Sequence, residues 1–66
     1  MMTYRAQVTL PGEVHTKMPV FNTEEEAAEY AEQQADAWRL VTDYNTVLVD
    51  KPATHAMRKG KLIILS

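Results

Sequence analysis

The stretch from Asn22 to about Leu40, NTEEEAAEYAEQQADAWRL, constrains this chain more than any other. Thr23 followed three residues later by Glu26 is the capping-box pattern of a helix start. Glu24, Glu25 and Glu26 add negative charge at the positive end of the helix dipole, worth roughly a few tenths of a kcal/mol each. At about 100° per residue, Ala27, Ala31, Ala35 and Trp38 fall on one narrow stripe, flanked by Ala28, Tyr30 and Val41. A run of alanines lets the helix axis lie close to whatever it covers, with Trp38 expected to fill the gap at the far end. The opposite face holds Glu25, Glu26, Glu29, Glu32, Gln33 and Asp36, with Arg39 at its edge.

That polar face breaks a local rule. Glu25 and Glu29 are like charges at i,i+4, as are Glu32 and Asp36, and Glu29 and Glu32 stand at i,i+3. Each such pair costs roughly 0.2–0.5 kcal/mol, and no lysine interrupts them. A helix selected for stability alone would mix signs. One reading is a solvated face that keeps a small protein in solution. The other is an acidic docking strip made by Glu25, Glu29, Glu32 and Asp36, because broken local rules tend to sit at functional sites.

Sixty-six residues make one domain, spanning 1–66, near the lower limit for an independent hydrophobic core. The chain contains no cysteine, which excludes disulfides and thiolate zinc sites. No apolar run approaches a membrane span, and the first residues lack the charged and apolar regions of a secretion signal, so a soluble, cytoplasmic protein is expected. The net charge is −2, too little to make the whole molecule a nucleic-acid magnet. Its distribution says more. Six of the nine acids lie between Glu24 and Asp36, while Lys51, Arg58, Lys59 and Lys61 cluster with no acid after Asp50. The molecule should be dipolar.

In chain order, Thr3 to Leu10 alternates, with Tyr4, Ala6, Val8 and Leu10 on one side, as in a half-buried strand. Pro11-Gly12 signals a turn, and Val14 to Phe21 resumes an extended pattern through Val14, Thr16, Met18 and Val20. Together these predict a hairpin. Pro19 cannot donate to a ladder, so the end of the second strand is expected at a sheet edge, open to a partner strand or a second copy of the chain. After the helix, Tyr44 to Val49 is β-like. Lys51 to Gly60 reads as a polar, basic loop, and Leu62-Ile63-Ile64-Leu65 as a strand covered on both faces or paired in mid-sheet. The expected fold is α+β, ordered β-β-α-β-β, with one amphipathic helix on a small, mostly antiparallel sheet. The expected core is Tyr4, Ala6, Val8, Leu10, Ala27, Ala31, Ala35, Trp38, Ile63 and Leu65.

Catalytic chemistry finds little support. His15 and His55 stand forty positions apart, outside any ligand-spaced cluster, so neither a metal nor a cofactor is expected. The helix acids lie along an exposed face, whereas general acid–base work needs a pair in divergent environments inside a cleft. No nucleophile elbow, P-loop or dinucleotide fingerprint is present, and the chain is read as non-enzymatic. Lys51, Arg58, Lys59 and Lys61, with His55, form a second candidate surface that could contact phosphates. Four cations give a modest counterion-release effect, and the loop offers no aromatic residue for a base to stack on. An acidic strip on a rigid helix suits docking to a basic protein surface, where charge complementarity steers and orients association.

The order of motifs resembles the small host RNA polymerase inhibitors of T-seven-type bacteriophages. The pieces that carry the resemblance are Tyr4-Arg5-Ala6-Gln7-Val8, Met18-Pro19-Val20-Phe21, and TEEEAAEYAEQQ from Thr23 to Gln34, so it covers roughly Tyr4 to Trp38. It implies a small phage-type protein that acts by binding a host machine such as bacterial RNA polymerase, and so a regulator of transcription in host takeover. That family binds through charged residues that include arginines on its final strand. Val47-Leu48-Val49-Asp50 carries none here, and no binding residue is carried over. The function expected is a protein-binding inhibitor or modulator. The alternatives are a nucleic-acid-binding accessory protein and a structural, oligomerising subunit.

Overall fold

The computed structural model describes residues 2–65. Its elements are β1 (Thr3–Leu10), β2 (Glu13–Phe21), α1 (Glu24–Ala37), β3 (Asp43–Val49), β4 (His55–Arg58) and β5 (Lys61–Ile64). The fold is α+β, with one helix packed on antiparallel sheets. β1 is central in a three-stranded sheet of order β2-β1-β3, and β4 and β5 form a second, two-stranded sheet.

The first hairpin follows from its turn. Leu10 pairs with Glu13 across Pro11-Gly12, and Gly12 sits at φ 83°, which a residue with a side chain rarely adopts. Farther along β2 the register shifts, so that Lys17, Met18 and Pro19 together lie opposite Ala6. Arg5 fills this bulge, its Nε donating to the Lys17 carbonyl at 2.7 Å. A proline in the bulge of an edge strand removes no ladder bond.

α1 begins as its capping pattern requires. The Thr23 hydroxyl oxygen accepts from the Glu26 amide at 3.2 Å and its proton goes to the Glu26 carboxylate at 3.0 Å. Replacing Thr23 by Ala removes the cap and is expected to cost about 1 kcal/mol. In a domain of this size that lowers the melting temperature by about 4–8 °C. A thermal melt of T23A superimposing on wild type would show that the cap contributes nothing. The helix stops at Ala37, and Trp38, in extended backbone, donates its N–H to the Gln34 carbonyl at 3.0 Å.

Of the expected core, Ala6, Val8, Leu10, Ala27 and Ala31 are buried. Tyr4 is half-buried against the main cluster of Phe21, Ala27 and Met57. Ala35 and Trp38 are only half-buried. The Trp38 ring leaves the helix stripe and lies against the side chains of β2, 5.7 Å from His15 and under the Lys17 ammonium at 4.7 Å. Ile63 and Leu65 are exposed. In their place Val20, Phe21, Ala56 and Met57 are buried. Val14 and Met18, on the apolar alternation of β2, are exposed on the face turned away from α1.

The residues 51–60, read as a loop, supply a strand instead. β4 pairs with β5 from His55 opposite Ile64 to Arg58 opposite Lys61. Lys59 at φ 51° and Gly60 at φ 76° make the two-residue turn, and successive left-handed residues suit the twist of a tight hairpin. Polar bonds fasten this hairpin to the rest of the molecule. Thr54 donates its N–H to the Val20 carbonyl at 2.8 Å, and its hydroxyl accepts from the Val20 N–H at 3.0 Å. Gln33 donates to the Gly60 carbonyl at 2.7 Å. The outer edge of β2 beside Pro19 is therefore occupied by the chain itself.

Candidate functional site

α1 carries six carboxylates, and the fold divides them into two groups. Glu24 accepts from the Thr46 hydroxyl at 3.2 Å, which ties the first helical turn to β3. Glu26 accepts from the Met57 N–H at 3.0 Å and from Arg58 Nη1 at 3.4 Å, which ties the same turn to β4. These two acids serve the structure. Placing Glu26 and Gln33 on the solvent face is thus corrected, since both turn sideways onto the hairpin.

The other four are Glu25, Glu29, Glu32 and Asp36. All are exposed, and among the described residues none has a hydrogen-bond or ion-pair partner. With 3.6 residues per turn they lie within an arc of about 60°, on the side of α1 opposite buried Ala27 and Ala31. α1 has no basic residue in its last turn, so nothing on the helix offsets the strip. The four residues read from sequence as the docking strip are therefore brought together on a rigid element.

Beside the strip, between α1 and β3, is an open cavity of about 350 Å³ lined by Glu24, Glu25, Ala28, Tyr44, Asn45 and Thr46. It gives the acidic face an apolar floor at the Glu25 end. Helical periodicity points to the carboxylates but cannot show this cavity, because the small side chain of Ala28 opens it only where β3 runs alongside.

The basic candidates separate. Arg58, Lys59 and Lys61 meet at the tip of the β4–β5 hairpin, where Arg58 and Lys61 are cross-strand partners. Lys51 lies before the hairpin, with its carbonyl accepting from the buried Thr3 hydroxyl at 2.6 Å. Arg58 is drawn to Glu26, and Gln33 holds the turn against α1. His55 is half-buried and its Nδ1 bonds the Thr54 hydroxyl at 2.7 Å. The cations thus form no single patch, and three of them sit close to an acidic helix. His15 is linked to Glu13 at 2.7 Å, forty positions from His55, and among the described residues no three His, Asp or Glu side chains gather as a metal site. No helix among them is long and apolar enough to cross a membrane.

Comparison with protein families, curated proteins and solved structures gave no match.

Proposed function

We propose that this chain is a small non-enzymatic protein-binding inhibitor or modulator that docks on a basic protein surface through Glu25, Glu29, Glu32 and Asp36. The observation that carries this reading is the division of the helix carboxylates. Glu24 and Glu26 are consumed by the fold, whereas the four on the strip have no partner among the described residues and repel one another. A partner with cations at matching spacing relieves that repulsion on binding and fixes the orientation of the complex. Covering or misaligning a basic working surface of the partner is the mechanism.

The resemblance over Tyr4 to Trp38 makes bacterial RNA polymerase the first partner to test. Binding of the purified enzyme is to be compared for wild type and for the Glu29→Lys, Asp36→Lys double variant. The expected result is at least about a tenfold loss of affinity in the variant, with wild-type binding weakening as salt rises from low to moderate concentration. The variant's thermal melt should match or slightly exceed wild type, since both changes remove like-charge pairs. Equal affinity for wild type and variant would remove the strip from the interface. Salt-sensitive DNA retention by both proteins, with no polymerase bound, would move the assignment to Lys51, Arg58, Lys59 and Lys61 as a nucleic-acid surface.

A further inference from the structure

We infer that β5 is a self-association edge, at which the strands Lys61–Ile64 of two copies pair antiparallel about a two-fold axis at Ile63. This surface is separate from the acidic strip and does not depend on it. Leu62, Ile63, Ile64 and Leu65 are 39, 38, 77 and 37% exposed, on both faces of the hairpin. Four consecutive aliphatic residues suit a strand with neighbours on either side, yet among the described residues β5 pairs with β4 alone. A two-stranded hairpin is marginal by itself, and its far edge offers unpaired backbone groups.

The edges of β2 and β3 are guarded more fully than that of β5. β2 is blocked by Pro19, by its bulge and by the bonds from Thr54 to Val20. β3 is bounded by Asp43 at its start and Asp50 just past its end. β5 has a charge at its start alone, Lys61, and from Leu62 to Leu65 the chain has no charge, proline or bulge, the devices that keep edges from pairing.

A second copy fits this edge on both apolar and electrostatic grounds. Leu62 is the cross-strand partner of Met57, which belongs to the core cluster, so the aliphatic face of β5 continues that core to the sheet edge. Antiparallel pairing about Ile63 sets Leu62 opposite the second copy's Ile64 and Lys61 opposite its Leu65, giving a four-stranded β4-β5-β5-β4 sheet. The two Lys61 residues then lie four residues apart along the strands, about 13 Å, which exceeds the Debye length of about 8 Å at physiological salt. Parallel pairing would bring the cationic tips, with Arg58, Lys59 and Lys61, side by side, and is disfavoured. The two-fold arrangement closes on itself as a dimer.

The test is sedimentation of the full chain over a concentration series from micromolar to near millimolar, with three variants. Wild type is expected to move reversibly from one to two chain masses. Leu65→Lys, which faces the second copy's Lys61 with like charge, should remain monomeric throughout. Leu65→Glu, facing the same lysine with opposite charge, should dimerise several-fold more tightly. Met18→Lys, which changes an 81% exposed residue on β2, should dimerise like wild type. Circular dichroism at micromolar concentration checks that every variant is folded, and Leu65→Glu keeps the test sound if Leu65→Lys is not. A wild type that stays monomeric overturns the inference. So does self-association that is indifferent to the charge at Leu65, or lost equally on Met18→Lys.

Discussion

Phe21→Ala is expected to unfold this protein at ordinary temperatures or leave it barely folded. Phe21 is wholly buried at the C-terminal end of β2, paired with Tyr4 across the hairpin. It contacts Ala27 and Met57, and its ring stands 5.6 Å from that of Tyr30 at a 47° tilt. It thus joins β1, α1 and β4 in one cluster. Four of the buried residues are alanines, at positions 6, 27, 31 and 56, and these are too short to extend into the space an alanine at position 21 would leave. Truncating a buried phenylalanine costs about 3–5 kcal/mol, the loss of transfer free energy plus the residual cavity. A domain of this length holds only about 3–10 kcal/mol in total. The melting transition should therefore fall by at least about 15 °C or lose its cooperativity. Phe21→Leu, which refills most of the volume, should retain a cooperative melt at lower temperature. A wild-type melting curve for F21A would mean that the packing described around Phe21 does not carry the fold.

The central position of Phe21 also explains what sequence could and could not reveal. α1, β1 and the Pro11-Gly12 turn are legible because their signals are local: a cap with its acid three residues on, strict alternation, a turn pair. The α+β class follows from those three. Phe21 has no such signal. It follows a proline and a bulge, and only the helix laid across the sheet and the hairpin brought against it make it the centre of the interior. β4 is illegible for a related reason. His55–Arg58 is short, flanked by cations, and becomes a strand because Thr54 bonds Val20 and Glu26 bonds Met57. A continuous run such as Leu62 to Leu65 is ambiguous between a covered strand and an edge awaiting a neighbour, and in the single chain it is the edge.

The acidic face was half legible for the same geometric reason. The periodicity places Glu25, Glu29, Glu32 and Asp36 opposite the alanine stripe, and they lie there. It also leaves Glu26 and Gln33 at the margin of that face, roughly a quarter-turn from its centre. Whether a marginal residue is solvated or buried depends on what packs alongside. Here the hairpin packs alongside, so charge that looked uniform from the sequence is divided into structural and unpartnered groups.

That division is testable at Glu26, the second-largest effect expected. Its carboxylate receives the Met57 N–H at 3.0 Å, the Thr23 hydroxyl at 3.0 Å and Arg58 Nη1 at 3.4 Å, with the side chain 18% exposed. Met57 is a buried member of the core, so removing the acceptor strands a backbone donor next to an apolar cluster. An unsatisfied buried group costs about 1–3 kcal/mol, and losing the capping partner adds to it. Relief of repulsion from Glu29, three residues on, returns only a few tenths of a kcal/mol. Glu26→Ala should therefore destabilise the protein by about 2–3 kcal/mol. The ion pair itself contributes little, because the Arg58 side chain is 65% exposed and such pairs are worth roughly 0–1 kcal/mol. Arg58→Ala should accordingly cost less than about 1 kcal/mol, and raising the salt concentration should barely change the gap between the two variants. By contrast Glu29→Ala, on the unpartnered strip, should leave stability unchanged or slightly raised. Equal losses for E26A and R58A in denaturant titration would assign the effect to the ion pair, and a loss for E29A as large as that for E26A would contradict the division of the helix carboxylates on which the proposed docking strip rests.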